Sequence, residues 1–506
     1  MTTNHKIYYL LIFCLFPLSF LRAQSGVADQ LLKATFHPSP QSAAYTRYGE
    51  YPVDYSTGVP KIEIPIYTLN TGDYELPISI SYHASGIKVL DVSGPVGLGW
   101  TLNAGGVITR TVCGMPDYEG SNYRMFFKNM KDVERNLSQS AMDPMLWNRV
   151  FANAPEYDYE SDRYGYNFAG KAGIFRYNVY NETPFTIPHE PIKIERTTNG
   201  YKITDTDGTT YYFEAKEYCT SPTLYNYTSA WYLTKIETAG RKNVITFSYT
   251  TGESYFIRYR SQFMHKGDEI TYSQEIGQQY VVNEGRNCSG EETFMPTYIY
   301  RVPMLNSISW NSVNITFSYA NDRLDTQKER LTSITVKDNS STIKYVTFNN
   351  NMYFGGSTYN YRMKLGNLSI KGNVTDNMAD NYVFLYDATT PPEHYNALAI
   401  GNPPKCYPIA RIEGLTYSEV SMKIGERTIS SMASGIAPTQ VQMNNIRSLL
   451  SNALVTTYTY IPSVGIATET TPNGYKKTYS YDAMGRLKQI ADTNGTVETY
   501  QYQYKQ

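Results

Sequence analysis

The sequence predicts a mainly β protein in which antiparallel hairpins tile into one large curved or spiralling sheet, interrupted by a small helical insertion. Three observations carry that expectation. Tyrosine is far above ordinary usage, 49 of 506 residues, while charged residues make up only 18%. Aromatic and β-branched residues suit a pleated, half-buried surface, and the shortage of charge argues against long surface helices. Long stretches also alternate apolar and polar residues with period two. Finally, a strand-turn-strand pattern recurs along the chain, and single hairpins of that size are marginal in water unless they tile side by side.

In chain order, residues 1–23 read as a secretory signal. His5 and Lys6 precede an apolar run from Ile7 to Leu21, and Leu21-Arg22-Ala23 places the small Ala23 at the cleavage position. The run is short for a membrane helix, which needs about 20 apolar residues, and no later stretch qualifies. Cys14 follows Phe13, where a lipoprotein signal wants a small residue, so export without a lipid anchor is expected. Residues 24–45 read as a linker. Residues 46–120 read as an N-terminal β module: Lys61–Leu69 and Leu76–Val89 alternate, and Gly94–Arg110 holds five glycines, Gly94, Gly97, Gly99, Gly105 and Gly106, around Trp100. Glycine at such density marks tight bends and close backbone approach.

Residues 121–165 carry helical spacing and an acidic stretch, Glu156–Asp162, and read as a helical or loop insertion. Residues 166–455 read as the hairpin-tiled region. There Leu233–Ile236 leads to Val244–Tyr249, Leu305–Ile308 to Asn314–Tyr319, and Leu331–Ile334 to Lys344–Asn350; Leu487–Ile490 leads to Glu498–Tyr504 in the same way. Asn199-Gly200, Asp207-Gly208, Asn473-Gly474 and Asn494-Gly495 are strong hairpin-turn dipeptides. One helix is expected at about Thr439–Asn452, with Ile446, Leu449, Leu450 and Ala453 on one face.

Residues 456–506 form the last segment. Asp482-Ala-Met-Gly485 has the residue preferences of a type I turn. Arg486 and Leu487 open the next strand, and a final strand from Thr496 to Tyr504 would be an open edge. Tyr481, Asp482, Gly485, Arg486 and Leu487, followed by Gly495 and Tyr500, resemble the YD repeat of the Rhs family of bacterial exported proteins. The stretch Ser79–Arg110, with Gly97, Gly99, Trp100, Gly105 and Gly106, resembles the opening segment of Rhs and Tc-toxin-type shell proteins. That resemblance implies sheets of hairpins spiralling into a hollow shell, which in large members encloses a toxin. This chain has one clear YD repeat and no Asp-Pro-Gly self-cleaving segment.

Chemistry is sparsely signalled. A net charge of -1 gives no basic field for nucleic acid. Gly97-x-Gly99 has Leu102 where a dinucleotide fingerprint needs glycine, so a structural turn is expected. Asp205-Thr206-Asp207-Gly208 has Lys216 where a calcium loop needs glutamate, and reads as a hairpin turn. His37, His83, His189, His265 and His394 form no zinc-hydrolase motif. Glu156 and Asp158 read as part of a solvated loop rather than a glycosidase pair. Cys113, Cys219, Cys288 and Cys406 permit two disulfides or four buried thiols.

The expectation is therefore an exported structural or interaction protein of the Rhs/YD type, extracellular, at the cell surface or in the periplasm. No catalytic, cofactor or metal residues and no activity of its own are expected. A protein partner carrying further YD repeats would pair with the C-terminal edge strand. Two alternatives are a carbohydrate-binding module using exposed tyrosine rows and a hydrolase with an unrecognised site.

Overall fold

The computed structural model of the chain describes residues 35–36, 62–83, 92–113, 116–119, 127–128, 130–131, 161–220, 226–261, 293–325, 327–354, 361–388, 406–425, 440–461 and 464–502. The expected signal with Ala23, residues 132–160 of the expected insertion, and Cys288 lie outside the described residues.

Strand β1 (Thr35–Phe36) is a two-residue strand. β2 (Ile62–Asn70) buries Ile62, Ile64 and Ile66 on one face, as its alternation requires, and forms an antiparallel meander with β3 (Glu75–Tyr82) and β4 (Trp100–Asn103). β5 (Gly106–Cys113) pairs with β1 and opens the large sheet, continuing into β6 (Arg163–Phe168), β7 (Lys171–Tyr177) and β8 (Pro184–Ile187). The strand lying within residues 46–120 thus pairs across that boundary. β6 begins at Arg163, inside the expected insertion and three residues before the expected start of the tiled region.

A second run comprises β9 (Lys193–Arg196), β10 (Tyr201–Thr204), β11 (Thr210–Thr220) and β12 (Tyr227–Glu237). β12 is a branch point. Ala230–Tyr232 pair with Val107–Thr109 of β5, while Lys235–Glu237 pair with β13 (Val244–Thr251). The hairpin of β14 (Tyr255–Ser261) and β15 (Thr293–Tyr300) flanks the end of β11. From β13 one antiparallel ladder runs through β16 (Pro303–Trp310), β17 (Val313–Ala320), β18 (Arg330–Asp338) and β19 (Ser341–Asn349). A side hairpin, β20 (Met352–Phe354) and β21 (Arg362–Lys364), leaves it. The ladder resumes with β22 (Asn367–Lys371), β23 (Asp380–Ala388), β24 (Cys406–Glu413) and β25 (Leu454–Ile461). It ends with β26 (Gly465–Thr470), β27 (Lys476–Tyr481), β28 (Leu487–Asp492) and β29 (Gly495–Thr499).

Among the described residues, two helices, α1 (Tyr417–Ile424) and α2 (Gln440–Leu449), sit between β24 and β25. α2 falls where a helix was expected. α1 was not expected, although Thr416 and Glu419 form a capping box that satisfies the first free amides of the helix. Val420, Ile424, Met443, Ile446 and Leu450 pack on Val383, Leu385, Ile412 and Val455 of the sheet.

Many of the tyrosines are core material. Tyr164, Tyr166, Tyr201, Tyr211 and Tyr458 are buried. Tyr164 stacks on Phe175 at 4.9 Å between ring centres, and Tyr201 meets Trp231 edge-on at 4.9 Å. Such pairs add about 0.5–1.5 kcal/mol beyond area burial. The opposite face of β13 and β16–β18 is lined by small hydroxyls such as Ser248, Ser307, Thr316 and Ser333.

Two expectations need correction. Asp162, taken as the end of a solvated acidic loop, is fully buried and ion-paired to buried Arg110 at 2.6 Å; Asp117 exchanges backbone hydrogen bonds with it. A buried carboxylate is tolerable only with such partners. The final strand stops at Thr499 rather than Tyr504. Of the two readings left open for the cysteines, buried thiols fit Cys219, which is a free, buried thiol; Cys113 is buried too.

Candidate functional site: a rim of tyrosine clasps

The last hairpin is built by Asp482. Its Oδ1 accepts the amides of Met484 and Arg486, each at 2.9 Å, and its Oδ2 accepts Arg486 Nε at 2.7 Å. Those bonds, Arg486 first, hold the Asp482 carboxyl below the usual carboxylate range. Gly485 closes the turn onto the Asp482 carbonyl with φ 75°, a left-handed conformation that favours glycine. The Arg486 guanidinium lies 4.4 Å over the Tyr502 ring. Leu487 is fully buried, Gly495 turns the chain into β29, and the Tyr500 amide donates to the Lys488 carbonyl at 3.0 Å. The motif residues are thus turn and packing elements.

A further device, absent from the sequence reading, links this hairpin to the rest of the sheet. The Tyr481 hydroxyl donates to the Ile466 carbonyl on the preceding strand at 2.7 Å. The same bond recurs from Tyr249 to Leu233 (2.7 Å), Tyr319 to Leu305 (3.0 Å), Tyr386 to Leu365 (2.7 Å), Tyr460 to Pro408 (2.6 Å) and Tyr502 to Leu487 (2.7 Å). Each of Tyr249, Tyr319, Tyr386, Tyr460 and Tyr481 also stands at a β-bulge against the following strand. Opposite them lie Leu305, Leu331, Pro408, Ile466 and Leu487 in turn. One tyrosine therefore fixes two junctions: its hydroxyl clasps the strand before it (for Tyr386, the Leu365 carbonyl two residues ahead of β22), and its backbone marks the bulge with the strand after it. Bulges re-aim strands and raise local twist, which suits a curving sheet. The signal was available in the recurring Leu-x-x-Ile and terminal Tyr of Val244–Tyr249 and Asn314–Tyr319.

One copy breaks the pattern informatively. At the place of the tyrosine after Leu331 stands Asn350. Its amide donates to the Leu331 carbonyl at 3.0 Å and also to Pro95 and Val96, each at 3.2 Å. The Leu331 amide in turn donates to Pro95 at 2.8 Å. The shorter side chain admits the Gly-Trp segment. Arg323, buried beside it, donates to the carbonyls of Ser93 and Gly94 at 2.9 and 3.2 Å. Gly97 and Gly99 permit the contact: a Cβ on Gly97 would stand 2.8 Å from the Leu365 nitrogen, and one on Gly99 2.5 Å from the Tyr82 ring. Trp100 donates to the Tyr386 hydroxyl at 2.9 Å, so it is fastened to another clasp tyrosine. Gly105 faces Phe247, and Gly106 lies against Phe168. The two motifs read separately in the sequence thus belong to one system.

The family model of the RHS repeat matches residues 465–497. The chain carries an RHS repeat. Within this RHS repeat lie β26–β28, most of β29, and the clasp of Tyr481 on Ile466. No curated protein matches the sequence. Among solved structures, the Photorhabdus luminescens Tc holotoxin pore (a TccC3 mutant) is similar at 10% identity, covering 67% of this chain and 16% of that one, with a TM-score of 0.32. The TcdB2-TccC3 crystal structure is similar at 10% identity, covering 70% and 18%, with a TM-score of 0.33. The TcdB2-TccC3-Cdc42 structure is similar at 9% identity, covering 86% and 19%, with a TM-score of 0.32. The match takes in less than a fifth of each of those chains.

Among the described residues no cluster of three His, Cys, Asp or Glu could hold a metal, and no helix is long and apolar enough to cross a membrane. A polar cleft of about 290 Å³ lies between the turns at Gly208 and Gly240, lined by Lys202, Tyr212, Glu237 and Arg241. There Tyr212 donates to Glu237 at 2.8 Å, and Lys235 pairs with the same carboxylate at 2.9 Å.

Proposed function

We propose that the protein is an exported structural protein of the Rhs/YD-repeat type, forming part of a β-shell or surface scaffold and having no enzymatic activity of its own. A second chain carrying further YD repeats pairs with its C-terminal edge strand. The observation that carries this reading is the continuity of the RHS repeat with everything before it. β26–β29 extend the same antiparallel ladder, repeat the same bulge and reuse the same tyrosine bond. A module built that way is one tile of a longer surface. The carbohydrate-binding alternative draws on exposed tyrosine rows, and the burial of Tyr164, Tyr166, Tyr201, Tyr211 and Tyr458 leaves the scaffold reading favoured.

The test is chemical crosslinking on intact native cells, followed by purification and identification of whatever is joined to Lys476, Lys477 or Lys488. A YD-repeat chain is expected, in a fraction outside the cytoplasm. A monomer with no joined chain, or a cytoplasmic location, would overturn the reading.

A further inference from the structure

β29 pairs with β28 through Gln489–Asp492, and among the described residues its second edge carries no registered strand. All five of its residues are exposed, and Val497 is 49% exposed. A bare strand edge offers backbone donors and acceptors to another strand. What distinguishes this edge is Tyr502, three residues past the end of β29. It already makes the bond to the preceding strand, at the Leu487 carbonyl, that Tyr249, Tyr319, Tyr386, Tyr460 and Tyr481 make. In all five of those earlier cases the next strand enters with an aliphatic residue or proline opposite the tyrosine. The residue after it is skipped in the pairing: Asn306, Thr332, Ile409, Ala467 and Lys488 in turn.

The geometry points to Tyr502 as the register mark of a docking edge: we propose that β29 receives one antiparallel strand of a partner chain, entering with an aliphatic residue opposite Tyr502 and a bulged residue immediately after it. This rests on the scaffold reading above and adds the register and the chemistry of the incoming strand. Main-chain bonds to β29 supply attraction that any strand could use. Tyr502 supplies selection, because a one-residue slip would turn the aliphatic side chain to the wrong face of the sheet.

A labelled synthetic peptide of residues 482–502 serves as the probe, since its own Leu487 sits opposite Tyr481 in the folded chain. Binding to the full-length protein is followed by fluorescence anisotropy. Saturable binding is expected, weakened about tenfold, or about 1.4 kcal/mol, when the peptide carries Leu487→Ser and when the protein carries Tyr502→Ala. Tyr502→Phe, which keeps the ring and loses only the hydroxyl, guards against misfolding and is expected to weaken binding by a smaller factor, with at most a small fall in melting temperature. Binding that ignores both changes, or that a scrambled peptide matches, would overturn the register while leaving the crosslinking result to decide the scaffold reading. Absence of any peptide binding would overturn the docking edge itself.

Discussion

Asn350 shows how much one side chain decides at this rim. Its amide group is shared among the carbonyls of Leu331, Pro95 and Val96. In Asn350→Ala the buried carbonyls of Leu331 and Val96 lose this donor, while the Pro95 carbonyl keeps the Leu331 amide. Unsatisfied buried polar groups cost about 1–3 kcal/mol, so a clear fall in melting temperature is expected. Tyr319→Phe removes a single hydroxyl bond and should cost less, about 0.5–1.5 kcal/mol. Equal losses in the two variants would mean that Asn350 is not the joint between the Gly-Trp segment and the ladder. Gly97→Ala adds a methyl against the Leu365 backbone, where no side chain can swing away; overpacking of this kind costs about 1–3 kcal/mol. The sequence placed Asn350 at the tyrosine's position in a repeat, but its meaning was not legible. The Leu331 carbonyl it meets is 19 residues away, and the Pro95 carbonyl 255 residues away. Only the register of β18 and the course of the Gly-Trp segment bring them together.

Hairpins were the most legible elements, because turn dipeptides and period-two alternation are local properties. The turns at Gly208, Gly474 and Gly485 all fall where the sequence puts them, each with positive φ. Helix α1 was less legible: at eight residues it is short, and its capping box was the one clear signal. The Asp482 turn yields a prediction in pH. Hydrogen bonds from Arg486 and from the turn amides favour the ionised carboxylate, so its folded pKa lies below the unfolded value. Its contribution is therefore present above the ordinary aspartate pKa of about 3.9 and lost as pH falls through the lower folded value. Amide exchange at Met484 and Arg486 should be slow at neutral pH and accelerate, beyond the intrinsic trend, below pH about 4. In Asp482→Asn that extra acceleration should vanish. If it persists, another group governs the turn.

At the scale of the whole molecule, the sheet's size and antiparallel character follow from composition and repetition, but the branch at β12 does not. Val107–Thr109 meet Ala230–Tyr232 across a sequence separation that no periodicity reports. That branch ties the Gly-Trp end of the chain to the ladder and lets the buried tyrosines form one connected core, which has a consequence in alkali. Burial pushes Tyr166 and Tyr481 up to about 12, and pushes Tyr164, Tyr201 and Tyr460 further above the ordinary phenol value. A phenol whose folded pKa is raised favours the neutral form, so its contribution is complete below the unfolded pKa of about 10 and is lost as pH rises through the folded value. Many such groups lie in one core, so their losses sum over the same pH window. Tyrosinate absorbance should lag behind free tyrosine from pH 10 upward and then rise together with loss of the far-ultraviolet sheet signal. Ionisation of most tyrosines near pH 10 with the sheet signal intact would mean that these rings are solvated, and the aromatic core described here would be wrong.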